Sequence, residues 1–272
     1  MKYKASEVKA ILNISTDTLR FYEKKGIISP HIDETNSYRY YDDWDINYLL
    51  EYKYFRSFDF NVNDTYKLLH DSSLEDKLSI FKEKKKEIVR KRLYYSYLEE
   101  KINNYVNVME KIEMDLYKCI LTYSPECYYY TYRSNFSFKK ASESNGFFDL
   151  VMENYAFFDN NFFIREKTIQ DDTKNNFEWG FSIKKIWFDR LGLVKKEPLQ
   201  LLKSKLSIYT VIDAKERWNF SYRLLDFVWE YMKEHHYELD GDVFGTLLAR
   251  THEDRGYARY MEVWIPVKEK VE

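Results

Sequence analysis

Leu19-Arg20-Phe21-Tyr22-Glu23-Lys24-Lys25-Gly26-Ile27-Ile28, followed by Ser37-Tyr38-Arg39-Tyr40-Tyr41, is the stretch that decides how this 272-residue chain is read. Ser15 or Thr16 is placed to cap a helix with Leu19 and Tyr22 inward, and Gly26 stands where helices end in a left-handed residue. Ahead of it, Ser6 is a candidate cap for a helix carrying Val8, Ile11 and Leu12 at helical spacing. Asn13-Ile14 leave only a short turn between the two. Two short helices joined so tightly predict a helix-turn-helix. Behind them, Ile27-Ile28 and Tyr38-Arg39-Tyr40-Tyr41 flank the polar run Asp33-Glu34-Thr35-Asn36-Ser37, the pattern of a hairpin with a long tip, which makes a wing. Asp42 or Asp43 caps a third helix with Ile46, Leu49 and Leu50 inward, and a fourth short helix runs from about Asn63 to His70.

From Leu74 to Leu116 there is neither Pro nor Gly. Apolar residues recur at Leu74, Leu78, Phe81, Ile88, Tyr95, Leu98, Ile102, Tyr105, Met109 and Ile112, a heptad-like seam interrupted by Lys85 and Arg92. Roughly 43 residues at ~1.5 Å each predict a helix about 65 Å long. A stripe of that length pairs with the same helix of a second subunit; the alternative is packing against its own C-terminal domain. Ser124-Pro125 ends the pattern. Strands are then expected at Tyr128–Arg133, Phe162–Glu166, Phe177–Ile183, Leu206–Asp213, Val243–Arg250 and Arg259–Val267, with helices at about Ser142–Ala156 and Asn219–His236. The order strand, helix, strand, strand occurs twice, which predicts two half-domains sharing one antiparallel sheet, an α+β arrangement. The expected division is 1–73, 74–118 and 119–272.

Lys+Arg is 43 and Asp+Glu 45, so the net charge of -2 gives no chain-wide basic footprint. Residues 1–41 are mildly basic: Lys2, Lys4, Lys9, Arg20, Lys24, Lys25 and Arg39 against Glu7, Asp17, Glu23, Asp33 and Glu34, a net of +2. No apolar run is long enough to span a membrane, and MKYKASEVKA lacks the apolar core of a signal peptide. Two cysteines suit a reducing cytosol, so a cytoplasmic protein is expected. The 26 tyrosines fit either a composition bias or an aromatic ligand pocket. There is no G-x-S-x-G, H-E-x-x-H, P-loop or G-x-G-x-x-G, and the five histidines form no recognised constellation, so an enzyme is not expected.

The string Leu19 to Ile28 with Tyr38 to Tyr41 resembles the MerR family of transcriptional regulators, whose signature is L-R-[YF]-Y-x-x-x-G-L followed by a Y-R-x-Y wing; the match runs over residues 3–56. The resemblance implies a winged helix-turn-helix with Ser15 to Phe21 in the major groove. Ser15, Thr16, Thr18, Arg20, Phe21, Tyr22 and Lys24 are its expected DNA contacts, and Tyr38, Arg39 and Tyr40 those of the wing. Arg suits bidentate phosphate contact and narrow minor grooves, and Tyr hydroxyls fix register on phosphates. Tyr41 reads better as a cross-strand pair within the hairpin. The long helix fits the family's antiparallel coiled-coil dimer. Double-stranded palindromic promoter DNA, a second copy of the chain, a small effector and, indirectly, RNA polymerase are the implied partners; no cofactor is implied. The implied mechanism is activation by distorting DNA once effector binds.

Asp242-Val243-Phe244 and Tyr260-Met261-Glu262-Val263-Trp264-Ile265-Pro266-Val267 resemble the GyrI-like effector-binding domain of the multidrug-binding branch, over about 120–272. In drug-binding relatives a buried glutamate sits two residues after the valine of the penultimate strand; here that position is Gly245. Alternation offers a replacement. Tyr260, Glu262, Trp264 and Pro266 share one face of the closing strand and Met261, Val263, Ile265 and Val267 the other. A carboxylate between aromatics suits a lipophilic cation. Phe177, Trp179 and Phe181 also share a face, and Trp218 and Phe220 open the second helix, so these are candidate ligand contacts. Cys119 and Cys127 lie where metal-sensing relatives carry a thiolate pair, which gives a metal- or thiol-responsive regulator as the alternative. A ligand-sequestering protein or weak hydrolase is the third reading.

Overall fold

A computed structural model of the chain describes residues 2–134, 137–140, 146–170, 177–215, 222–253 and 256–270. Two compact units emerge, Met1–Leu93 and Tyr94–Glu272. The first holds β1 (Tyr3–Lys4), α1 (Ala5–Leu12), α2 (Thr16–Lys24), β2 (His31–Ile32), β3 (Arg39–Tyr41), α3 (Asp43–Ser57), α4 (Val62–His70) and the start of α5 (Leu74–Asp115). The local signals act as expected at three ends. Ser15 Oγ accepts from the Thr18 N–H at 3.0 Å, Asp42 accepts from the Asp45 N–H at 2.9 Å, and Gly26 sits past α2 at φ +68°. The Gly26 and Ile27 amides close the end of α2 on the Glu23 and Tyr22 carbonyls. Ser6 is not a cap. Helix α1 starts at Ala5, and Glu7 accepts from the Lys4 N–H at 2.7 Å.

Val8, Leu12, Leu19, Tyr22, Ile27, Ile28, Tyr41, Leu49 and Tyr52 make one buried cluster. Ile27 and Ile28 therefore serve as core, not strand. The strand begins only at His31, after Pro30, which has no N–H to give a ladder. Leu50, expected inward, is exposed, and so is Ile11.

The second unit holds the rest of α5, then β4 (Ile120–Tyr123), β5 (Cys127–Ser134), β6 (Ser137–Phe138), α6 (Phe147–Glu153), β7 (Asp159–Ile164), α7 (Glu166–Gln170), β8 (Glu178–Lys184), α8 (Lys185–Arg190), β9 (Gln200–Leu202), β10 (Leu206–Asp213), α9 (Asp226–Glu234), β11 (Tyr237–Leu239), β12 (Val243–Glu253) and β13 (Gly256–Glu269). The antiparallel sheet runs β4-β10-β13-β12-β7-β8-β5-β6. The doubled order is present. One half is β5, α6, β7, β8, the other β10, α9, β12, β13, and they meet where β7 pairs with β12. Arg165 ties that junction, bonding Glu178 at 2.6 Å and Asp242 at 2.7 Å.

One face of the sheet is aliphatic and aromatic core. Met261, Val263, Ile265 and Val267 pack with Val228 and Met232 of α9; Tyr130, Phe181 and Ile183 pack with Phe147 and Val151 of α6. The other face meets the second half of α5: Ile112 packs on Val211 and Leu248. The alternative reading of the long helix therefore holds for its end. Leu74, Leu78, Ile88, Leu93, Tyr95 and Ile102 remain exposed.

Candidate nucleic-acid interface and ligand cavity

On the first unit, Ser15, Thr16, Arg20, Phe21 and Lys24 are exposed along α2 and Thr18 is half-buried. Tyr22 is not on that surface. It lies in the core with its ring 5.0 Å from that of Tyr52, because its i−3 neighbour Leu19 shares the inward stripe. The wing turn is tied by Asp33, whose carbonyl accepts from the Ser37 N–H at 2.7 Å and whose N–H donates to the Tyr38 carbonyl at 2.9 Å. Tyr38 and Arg39 are exposed and Tyr40 half-buried. Glu23 joins helix and wing: its carboxylate accepts from the buried Tyr41 hydroxyl and pairs with Arg39 Nε at 3.1 Å. Burial, then this hydrogen bond, pushes the Tyr41 pKa up and keeps it a donor.

In the second unit, the face of β13 carrying Glu262 opens on a cavity of about 70 Å³. Lys101, Asn104, Tyr105 and Val108 of α5 form one wall. Asp159, Lys184, Thr246 and Glu262 come from the sheet, with Trp187 and the Leu247-Leu248 bulge beside them. A directed row of hydrogen bonds crosses four strands on this face. Ser182 Oγ donates to Asn161 Oδ1 at 2.7 Å, Asn161 Nδ2 donates to Thr246 Oγ1 at 3.0 Å, and Thr246, opposite Glu262 in register, bonds its carboxylate. Burial raises the Glu262 pKa; Lys184, Thr246 and Lys101 oppose that shift and Asp159 adds to it. Lys101 pairs with Asp159 at 2.7 Å, and the Tyr105 hydroxyl donates to the Leu248 carbonyl at 2.6 Å.

The other expected ligand contacts are distributed differently. Tyr260 and Trp264 share the Glu262 face but pack away from the cavity, Trp264 on Tyr209 and Phe244, Tyr260 beside the Ile112 cluster. Trp179 and Phe181 are corrected to core residues of the opposite face, with Phe177 packed beside Trp179, because β8 turns Ser182 and Lys184, not the aromatics, to the sheet face that carries Glu262. Trp218 and Phe220 lie outside the described residues. Gly245 also faces the opposite side: an added Cβ would lie 2.2 Å from the Glu262 carbonyl oxygen and 2.4 Å from the Phe162 ring. It is where the Phe162 ring lies on the backbone, not a vacated acidic position. The aromatic walls come from Tyr105 and Trp187, which alternation along strands could not reveal.

Both cysteines are free. Cys119 packs against the α9 core, while Cys127 is buried on the cavity side, opposite Lys184 in register. Burial raises both thiols, Cys127 to about 12, which disfavours the thiolate a soft metal needs. No group of three or more His, Cys, Asp or Glu side chains among the described residues is arranged to hold a metal. No helix among them is long and apolar enough to cross a membrane.

Residues 3–72 match the family described as MerR HTH family regulatory protein. The N-terminal segment is a MerR-family helix-turn-helix domain. Curated proteins gave no match. Among solved structures, the chain is similar to the EcmrR–DNA complex in an EcmrR–RPo assembly (16% identity, TM-score 0.39, covering 99% of this chain and 100% of that one). It is also similar to a MerR-family transcriptional regulator from Bacillus cereus (17%, 0.36, 42% and 86%). A third is HiNmlR, a MerR family regulator lacking the sensor domain, bound to promoter DNA (21%, 0.31, 42% and 90%). The MerR-type domain is a DNA-binding domain of transcriptional regulators, and its exposed α2 and wing residues are its candidate contact surface. Glu23 was not singled out in the sequence, although its spacing to Tyr22 and Gly26 puts it on the flank of α2 that meets the wing. Lys101, Asn161, Lys184 and Thr246 were also missed; no local signal marks them.

Proposed function

We propose that the chain is a dimeric, ligand-responsive transcriptional activator of the cytoplasm. Its MerR-type domain binds a palindromic promoter, and a small effector presenting a cationic or donor group to Glu262 switches it. Ser15, Thr16, Thr18, Arg20, Phe21 and Lys24 contact DNA from α2, and Tyr38, Arg39 and Tyr40 from the wing. The dimer forms through the exposed apolar stripe of α5. Effector binding lets the dimer distort the promoter so that RNA polymerase engages it, an allosteric coupling through DNA shape.

The observation that carries this reading is the cavity beneath Glu262, walled by the same helix α5 that carries the apolar stripe. A half-buried carboxylate fed by a row of donors is an acceptor held ready for a donor-bearing ligand. A mobility shift on the chain's own upstream region, with and without effector, tests it. Binding that falls steeply with salt is expected, because phosphate contacts release counterions. Absence of any sequence-preferred shift would leave a ligand-sequestering protein or weak hydrolase. Loss of the response after thiol blocking would favour the metal- or thiol-responsive reading.

A further inference from the structure

The cavity carries both signs of charge. Lys101, Asp159, Lys184 and Glu262 line it together. Lys101 and Asp159 are spent on each other at 2.7 Å. Lys184 and Glu262 remain, neither in a salt bridge among the described residues. Both stand on the same sheet face: Lys184 continues the side of β8 that carries Ser182, and Glu262 ends the row Ser182–Asn161–Thr246. Every donor in that row points toward Glu262, so the carboxylate is fixed as an acceptor. Lys184 has only donors to offer.

With Glu262 ionised the four charges sum to zero. A simple cation entering would leave a net positive charge in a partly enclosed space beside two lysines, and desolvating uncompensated charge is costly. A simple anion would meet the opposite difficulty at Glu262 and Asp159. We propose that this cavity takes a small zwitterion, its ammonium-type group held by Glu262 and its carboxylate or other anionic group by Lys184. Trp187 and Tyr105 bring aromatic rings to the wall, which suits an alkylated or arylalkyl ammonium. The volume of about 70 Å³ is well below the several hundred Å³ of drug-sized pockets, so a ligand of more than a few heavy atoms enters only by displacing part of the α5 wall. This assignment rests on the reading of the cavity as the effector site and narrows its chemistry.

The test uses matched pairs that differ only in the anionic group. They are glycine betaine against tetramethylammonium, and phenylalanine against phenethylamine, titrated calorimetrically into the full chain. At least one zwitterion is expected to bind ten-fold or more tightly than its cation. Lys184→Met should weaken that zwitterion at least ten-fold and strengthen the cation; Lys184→Gln serves if the Met variant does not fold. Glu262→Gln should weaken both. The zwitterion assignment is overturned if the parent protein prefers the cations, if neither zwitterion binds at 20 mM, or if removing the Lys184 charge leaves the preference unchanged. Equal affinities in parent and Glu262→Gln, with a probe that binds, would instead overturn the reading of the cavity as the effector site.

Discussion

Substituting Gly245 by alanine tests how the sheet holds the cavity together. An added Cβ would sit 2.2 Å from the Glu262 carbonyl oxygen and 2.4 and 2.6 Å from two Phe162 ring carbons. Ordinary contact begins near 3.4 Å, so the carbonyl must retreat by the difference between 3.4 and 2.2, about 1.2 Å. The ring cannot absorb this, because Phe162 is fully buried in the α9 core. Nor can the carbonyl, because β13 is paired on both sides at this point, Thr246 and Val211 flanking Glu262. Overpacking of a core costs ~1–3 kcal/mol, and backbone obstruction puts this case at the upper end. At about 2–4 °C per kcal/mol for a unit of this size, the melting midpoint should fall by roughly 6–12 °C. Ligand affinity at Glu262 should fall with it, since the displaced carbonyl carries the carboxylate's own backbone. Differential scanning fluorimetry and calorimetric titration read the two effects. A variant melting within 2 °C of the parent would refute the close packing of Phe162 on β12 and β13. Gly245→Glu, the residue the drug-binding pattern calls for, should fail to improve cation binding, because position 245 faces α9.

Three further outcomes are expected. Arg39→Ala should weaken specific and non-specific DNA binding alike and make the salt dependence shallower by about one unit of slope; an unchanged slope in a fluorescence titration would remove Arg39 from the interface. Ile88→Asp with Ile102→Asp should split the dimer in sedimentation, by charging two exposed positions of the α5 stripe; a parent protein that sediments as a monomer refutes the stripe as an interface. Glu262→Gln should be more stable than the parent at pH 8. Burial raises the Glu262 pKa in the folded chain, so the stability gained from holding that proton is present at low pH and lost as pH rises through the folded pKa. The advantage of the Gln variant should therefore shrink as pH falls toward the usual carboxylate range; an advantage independent of pH would contradict the assignment.

What the sequence disclosed follows from the range of each interaction. Ser15, Gly26 and Asp42 were legible because a cap satisfies groups within three or four residues of itself. The strand Leu206–Asp213 was legible because its apolar pattern and length suffice. Alternation along β8 correctly put Trp179 and Phe181 on one face, but parity within a strand does not say which face. That depends on register across strands, and Thr246 opposite Glu262 is the pairing that sends Gly245, Trp179 and Phe181 to the side covered by α6 and α9. The short edge strands β4 and β9 and the helices α7 and α8 escaped notice because three to six residues carry too little periodicity to register. The cavity wall was least legible. Lys101 reaches Asp159 across 58 residues, and Tyr105 reaches Leu248 across 143.

Those two contacts also determine what filling the cavity can do. Lys101 and Tyr105 stand one helical turn apart on α5, and each fastens the helix to the sheet beside the cavity, one through an ion pair and one through a hydrogen bond to the Leu247–Ala249 bulge. Together they are worth a few kcal/mol at most, since a hydrogen bond contributes ~0.5–1.5 and a bond to a charged group ~1.5–3. Further attachment comes from Tyr94, Tyr97 and Leu98 on one side, Val108 and Ile112 on the other, and the Arg190–Glu100 pair. A ligand reaching Glu262 must share space with Lys101, Asn104, Tyr105 and Val108. A close-packed wall responds by shifting as a unit or by releasing one of the two polar ties, because well-packed interiors do not deform smoothly. The ligand's differential affinity for the released wall is then the free energy available to bias α5. A few kcal/mol of tie is of the same order as the 1–3 kcal/mol by which allosteric sites are commonly coupled. On the proposed reading, these two polar ties are the part of the α5 attachment that one small molecule would release, while the apolar contacts on either side keep the helix on the sheet.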